Sequence, residues 1–231
     1  MKYTLDWEAV DIDGDNTLTS DGQQIGVTIS TPENPEGYGK QWVVGFDDGD
    51  ADTIKGDPDT IRSSDVRKPT DLHLTFDREV TDLSFEVYDI DQGDSGHPWD
   101  DKVTIIALDS EGNETTIKLS DLIETHLVTG EGDDVPGVTI EGEGADSVKV
   151  EGPGYPDSVT VNIPGPVVSL KFIHDNGGDY DISGTVGVSD LHFHAGPDDG
   201  RDGIVHGTEG DDLITAGTYV DVDGDEVDNE D

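Results

Sequence analysis

In the stretch YDIDQGDSGHPWDDKVTI, Tyr88 to Ile105, five aspartates (Asp89, Asp91, Asp94, Asp100 and Asp101) crowd a single turn. Like charges so close repel, and a divalent cation among them would reconcile the arrangement. Hard cations need oxygen ligands on a backbone that turns sharply, and Asp beside Gly supplies both. Residues two apart on a strand share a face, so Asp89 and Asp91 project together as their strand runs into its loop. Asp100 and Asp101 open the return strand, close enough to meet them. Asp190, in GVSDLHF of the final strand, follows a Gly that lets that strand bend. Two further acidic stretches, DIDGD at Asp11–Asp15 and DDGDAD at Asp47–Asp52, are lesser candidates for the same chemistry.

The composition agrees with cation binding. The 231 residues hold 55 acidic against 12 basic side chains, a formal charge of -43, with 31% hydrophobic residues and no Cys. A chain so charged sits near the limit of unaided folding, and counter-ions relieve it. Asp outnumbers Glu by more than two to one and clusters with Gly in loops. That suits cation loops better than a salt-adapted surface, although the two can coexist. Phosphate-bearing partners, nucleic acid and anionic membranes alike, are disfavoured by this charge. Membrane insertion is not expected, because the apolar runs are too short. Without Cys there are no disulfides, and the first residues, MKYTLDWEAVDIDGD, contain no conventional secretory signal.

The elements that must position these side chains are short strands. Apolar alternation bounded by Gly, Pro and Asp predicts strands at 24–30, 41–46, 72–76, 83–88, 102–108, 115–119, 137–141, 146–151, 157–163, 167–174 and 186–194. DSEGNE reads as a hairpin loop with Gly112 at positive φ. SDLIETHL, Ser120–Leu127, is the one predicted helix, capped by Ser120. The fold expected is all-β, a β-sandwich of the jelly-roll kind, over residues 1–196. Its core is expected to contain Phe76, Phe85, Val87, Leu108, Leu170, Phe172, Leu191 and Phe193. Residues 197–231 read as a short Asp/Gly-rich appendage.

Within that appendage GTEGDDLI, Gly207–Ile214, resembles the RTX, or haemolysin-type, calcium-binding nonapeptide, departing from it where Thr208 replaces Gly. DVDGDEVD, which follows, is similar to the D-x-D-G-D-x-x-D calcium loops of several extracellular proteins. These resemblances imply Ca²⁺ on Asp212 and on Asp221, Asp223, Asp225 and Asp228. The tail also resembles the segment ahead of Hint self-cleaving domains in some marine bacterial proteins. Residues 72–194, with their D-x-D…W-D-D and S-D-L elements, resemble jelly-roll modules of large secreted bacterial surface proteins. That resemblance implies an ordered Ca²⁺, assigned here to Asp89, Asp91, Asp101 and Asp190, and attachment to a glycan or cell-surface polysaccharide.

The function expected is an extracellular, non-catalytic, calcium-binding and carbohydrate-binding or adhesive module, secreted or held at the cell surface through type I export. The alternative is an accessory domain of a larger secreted enzyme or of a Hint-type self-processing protein. No G-x-S-x-G, phosphate-binding loop or nucleophilic Cys is present. The alternation of Asp190, His192 and His194 would also permit a zinc trio, although exposed strand histidines are common. Among Trp42, Tyr88, Trp99, Tyr155 and Tyr180, only Trp99, beside Pro98 in a loop, is expected to be exposed and to meet a ligand.

Overall fold

The computed structural model describes residues 1–31, 40–44, 60–64, 68–93, 99–130, 136–143, 158–177 and 184–196. Its contacts divide the chain into Met1–Gly196 and Pro197–Asp231. The second unit, with Asp212, Asp221, Asp223, Asp225 and Asp228, lies outside the described residues, as do Asp47–Asp52, Asp94, Tyr155, Tyr180 and the strand expected at 146–151.

The described residues are all-β, consistent with a β-sandwich. The strands are β1 (Lys2–Leu5), β2 (Asp15–Ser20), β3 (Gln23–Ser30), β4 (Lys40–Val44), β5 (Thr60–Ser64), β6 (Thr70–Tyr88) and β7 (Lys102–Leu108). They continue as β8 (Lys118–Ser120), β9 (His126–Thr129), β10 (Val138–Gly142), β11 (Val159–Ile163), β12 (Val167–Asp175), β13 (Thr185–Ser189) and β14 (Leu191–Ala195). All described pairings are antiparallel, and β6 is the spine of the sheet. Its first half lies between β12 and β3, with Leu74 opposite both Leu170 and Ile29. Its second half lies between β11 and the pair β13 and β14, with Val87 opposite both Val159 and Val188. The two stretches expected as separate strands at 72–76 and 83–88 are therefore one strand that changes neighbours near Val80. Its polar interruption, Asp77–Thr81, is the crossing.

Period-two alternation decides which side chains enter the core. Val103, Ile105 and Ala107 of β7 point inward, as do Leu170, Phe172 and His174 of β12. Phe85 meets Phe172 edge-on at 5.1 Å and Phe76 meets Phe193 at 5.1 Å, a geometry that favours both ring quadrupoles. Of the expected core, Phe76, Phe85, Val87, Leu170, Phe172, Leu191 and Phe193 are buried. Leu108 is only half-buried, because it follows the inward Ala107 and so faces out.

Ser120–Leu127 is not helical. It closes β8, turns, and opens β9; Asp121 sits at φ 67° and the His126 N–H donates to the Ile123 carbonyl at 3.1 Å. Eight residues cannot sustain a helix nucleus without tertiary packing, and here the backbone finds strand partners instead. The hairpin at Gly112 has φ 81°, and Asp109 Oδ1 accepts the N–H groups of Glu111 and Asn113. These bonds hold the Asp109 carboxyl below its ordinary range. The final strand expected at 186–194 breaks at Asp190 into β13 and β14.

Candidate functional site

The site lies where β6 ends and β7 begins. After Tyr88 the chain turns at Asp89 with φ 64°, a left-handed conformation that Asp tolerates better than most residues. The loop is then tied at its base. The Asp101 N–H donates to the Asp91 carbonyl at 3.0 Å, the Gly93 N–H to the Trp99 carbonyl at 3.0 Å, and Gln92 bridges to Asp100. The tie brings Asp89, Asp91 and Asp101 to one end of the core.

Asp101 shares the inward parity of Val103 and is fully buried. Its Oδ1 accepts from Gly184 N–H at 2.8 Å and meets His174 Nε2 at 3.1 Å. Its Oδ2 is buried and has no hydrogen-bond partner among the described residues. That oxygen lies 2.9 Å from the position a Cβ on Gly184 would take, and Trp99 Cδ1 lies 2.7 Å from the same position. The adjoining Trp99 Nε1–H donates to Asp91 Oδ1 at 2.5 Å. The half-buried indole therefore bonds Asp91 through Nε1, and both Trp99 and Asp101 Oδ2 border Gly184.

Burial is the largest influence on Asp101 and raises its pKa well above the ordinary carboxylate value. The charges of Asp89 and then Asp91 add to this, against the lowering effect of N–H donors from Gly184 and Asp91. Burial lowers His174 to about 3, so its imidazole is neutral. The His174–Asp101 contact is thus a hydrogen bond involving a neutral ring rather than an ion pair. On the opposite parity, Asp100 Oδ2 and Glu141 Oε1 converge over Gly177, and Lys102 approaches Glu141 at 3.8 Å.

Asp190 stands apart from this group. Its Oδ1 accepts the Trp7 N–H at 3.1 Å, beside the bond from Trp7 Nε1 to the Ser189 carbonyl. Gly187 is level with Tyr88, so Asp190 lies about four residues along the sheet from Asp89, roughly 13 Å at ~3.3 Å per residue. His192 and His194 are exposed on β14. His192 Nδ1 contacts Thr4 Oγ1 at 3.0 Å, and His194 Nδ1 contacts Asp82 Oδ2 at 3.2 Å. In the Asp11–Asp15 loop, Asp13 Oδ1 accepts from both the N–H and the hydroxyl of Thr31.

Among the described residues, no three His, Asp or Glu side chains are already gathered in a metal-holding group. Trp42 and Tyr88 are fully buried, which leaves Trp99 as the half-buried aromatic beside the acid cluster. The sequence reading missed His174 and Gly184. The parity of β12 carries a usable signal for the first, since a His two residues after Phe172 must share its inward face. Comparison of the chain with protein-family models, with curated proteins and with solved structures finds no match.

Proposed function

We propose that the chain is an extracellular calcium-binding module, a jelly-roll β-sandwich with an RTX-like tail, that binds carbohydrate or adheres to a surface without catalysis. The observation that supports this best is Asp101: a fully buried carboxylate with one oxygen unpaired among the described residues, pressed by the negative charges of Asp89 and Asp91. A buried charge is tolerated when it is paired or holds a metal. The donors this cluster offers are carboxylate oxygens, the chemistry of Ca²⁺, which takes roughly six to eight oxygens at about 2.3–2.6 Å. Asp89, Asp91 and Asp101 would hold the ion, with further oxygens from carbonyls and water. Asp190, set apart along the sheet, accepts the Trp7 N–H and is left out of this set.

Trp99 beside this cluster supports the carbohydrate reading, because an indole face packs against the apolar face of a sugar ring. No helix among the described residues is long and apolar enough to cross a membrane. Type I export to the surface or medium belongs to the same proposal, through the motif in Gly207–Ile214 and the acidic loop Asp221–Asp228. Calorimetric titration of the metal-stripped chain with Ca²⁺, followed by glycan-array binding with and without Ca²⁺, tests it. A flat titration removes the cation. Calcium binding with no glycan signal removes the carbohydrate role.

A further inference from the structure

We propose that His174 is a positioning residue of the cation site: its Nε2–H and the Gly184 N–H together hold Asp101 Oδ1, so that Oδ2 alone is offered to the ion. This rests on the calcium reading of the same site. The inward positions of β12 run Leu170, Phe172, His174, and all three side chains are buried. An apolar residue would satisfy the third position without polar cost. Instead His174 is fully buried, and its Nδ1 has no hydrogen-bond partner among the described residues. A buried orphan nitrogen is unfavourable, and such violations of the local pattern concentrate at functional sites. The gain must come from the other ring nitrogen, and that nitrogen contacts Asp101 Oδ1 at 3.1 Å.

When Asp101 is ionised beside a cation, both partners of Oδ1 must be donors, which fixes the imidazole as the neutral Nε2–H tautomer. Two donors then meet Oδ1, one from the ring and one from the Gly184 backbone at 2.8 Å. The carboxylate then cannot rotate, and it binds the ion through a single oxygen. The ring nitrogens cannot serve as ligands either. Nε2 is engaged, and Nδ1, on the far side of the ring, points away from Asp101. The ring also packs edge-on to Trp42 with centroids 6.5 Å apart, so it is held within the core. The site therefore presents oxygen only and prefers Ca²⁺ to Zn²⁺, as outer-shell partners of a metal ligand do elsewhere by setting orientation and tautomer.

The test compares the full chain with His174→Gln and His174→Phe. Calorimetry with Ca²⁺ alone and with Zn²⁺ alone gives the affinities, and long-range proton–nitrogen spectra of the unaltered chain give the tautomer. The Phe variant should bind Ca²⁺ about 10- to 100-fold more weakly. The Gln variant, which keeps an N–H donor, should stay much closer to the unaltered chain. With Ca²⁺ bound, His174 should be neutral and protonated on Nε2, and Zn²⁺ should not shift its ring nitrogens. The proposal is overturned if the Phe variant binds Ca²⁺ as tightly as the unaltered chain, or if the Gln variant is as weak as Phe. Protonation on Nδ1 with Ca²⁺ bound, or a zinc-dependent shift of the ring, overturns it even where both variants fail to fold. If the unaltered chain itself binds no Ca²⁺, the calcium reading falls and this inference with it.

Discussion

Replacing Asp101 with Asn should change stability in opposite directions with and without Ca²⁺. Asn keeps the size of the side chain and the carbonyl oxygen that accepts from Gly184 and His174. It removes a charge that is fully buried and opposed by Asp89 and Asp91. In EGTA the variant should therefore melt higher than the unaltered chain, because the fold no longer has to bury a carboxylate or take up a proton to neutralise it. In Ca²⁺ the order should reverse. Extracellular sites bind at about 10⁻⁴–10⁻³ M, so ~10 mM Ca²⁺ stabilises the unaltered chain by roughly 1.4–2.7 kcal/mol per site. For a domain of this size that is about 3–10 °C in melting temperature. Raising the dissociation constant to ~10 mM by loss of Oδ2 cuts the gain to about 0.4 kcal/mol, or about 1 °C. Differential scanning calorimetry in EGTA and in Ca²⁺ measures both arms. Ionic strength must be matched with NaCl, because any salt screens a chain of charge -43. An Asn variant that is less stable in EGTA, or that keeps the full calcium shift, would refute the reasoning.

His174 makes a second prediction, in pH. Its ordinary value of 6.5 falls to about 3 in the fold. Below pH 6.5 the unfolded chain takes up a proton that the folded chain refuses, so this contribution to stability is full above 6.5 and lost as pH falls toward 3. At pH 4.5 the loss approaches ~3 kcal/mol; urea unfolding of the unaltered chain against His174→Gln measures it, and parallel pH profiles would sink it. Asp101 works the other way. Its raised pKa means the folded chain holds the proton longer, so in EGTA its contribution falls as pH rises from about 3.8 through the raised value. Calcium binding should release that proton, which titrations in buffers of different ionisation enthalpy would detect. Gly187→Ala tests the packing independently of any metal. A Cβ there would strike the ring of the buried Tyr88, and overpacking of this kind costs about 1–3 kcal/mol in denaturant melts.

The sequence by itself determined the class of fold and most of the interior. Alternation in KVTIIAL and VVSLKFIH fixes which side chains face inward, because successive strand side chains point to opposite sides whatever the sheet's connections. It also determined that Asp89, Asp91 and Asp101 could meet, since a loop tied at its base brings its flanks together. β1, β2 and β5 escaped that reading because their polar or short segments become strands only by pairing with β14, β3 and β13. Ser120–Leu127 departs from the expected helix for the converse reason: local propensity favours a turn of helix, and strand partners distant in sequence override it. Only the tertiary structure decided that Asp190 caps a backbone N–H near Trp7 while His174 and Gly184 hold Asp101. Those pairings join residues more than seventy positions apart, and the register between strands that sets them is a property of the packed sheet, not of any one segment.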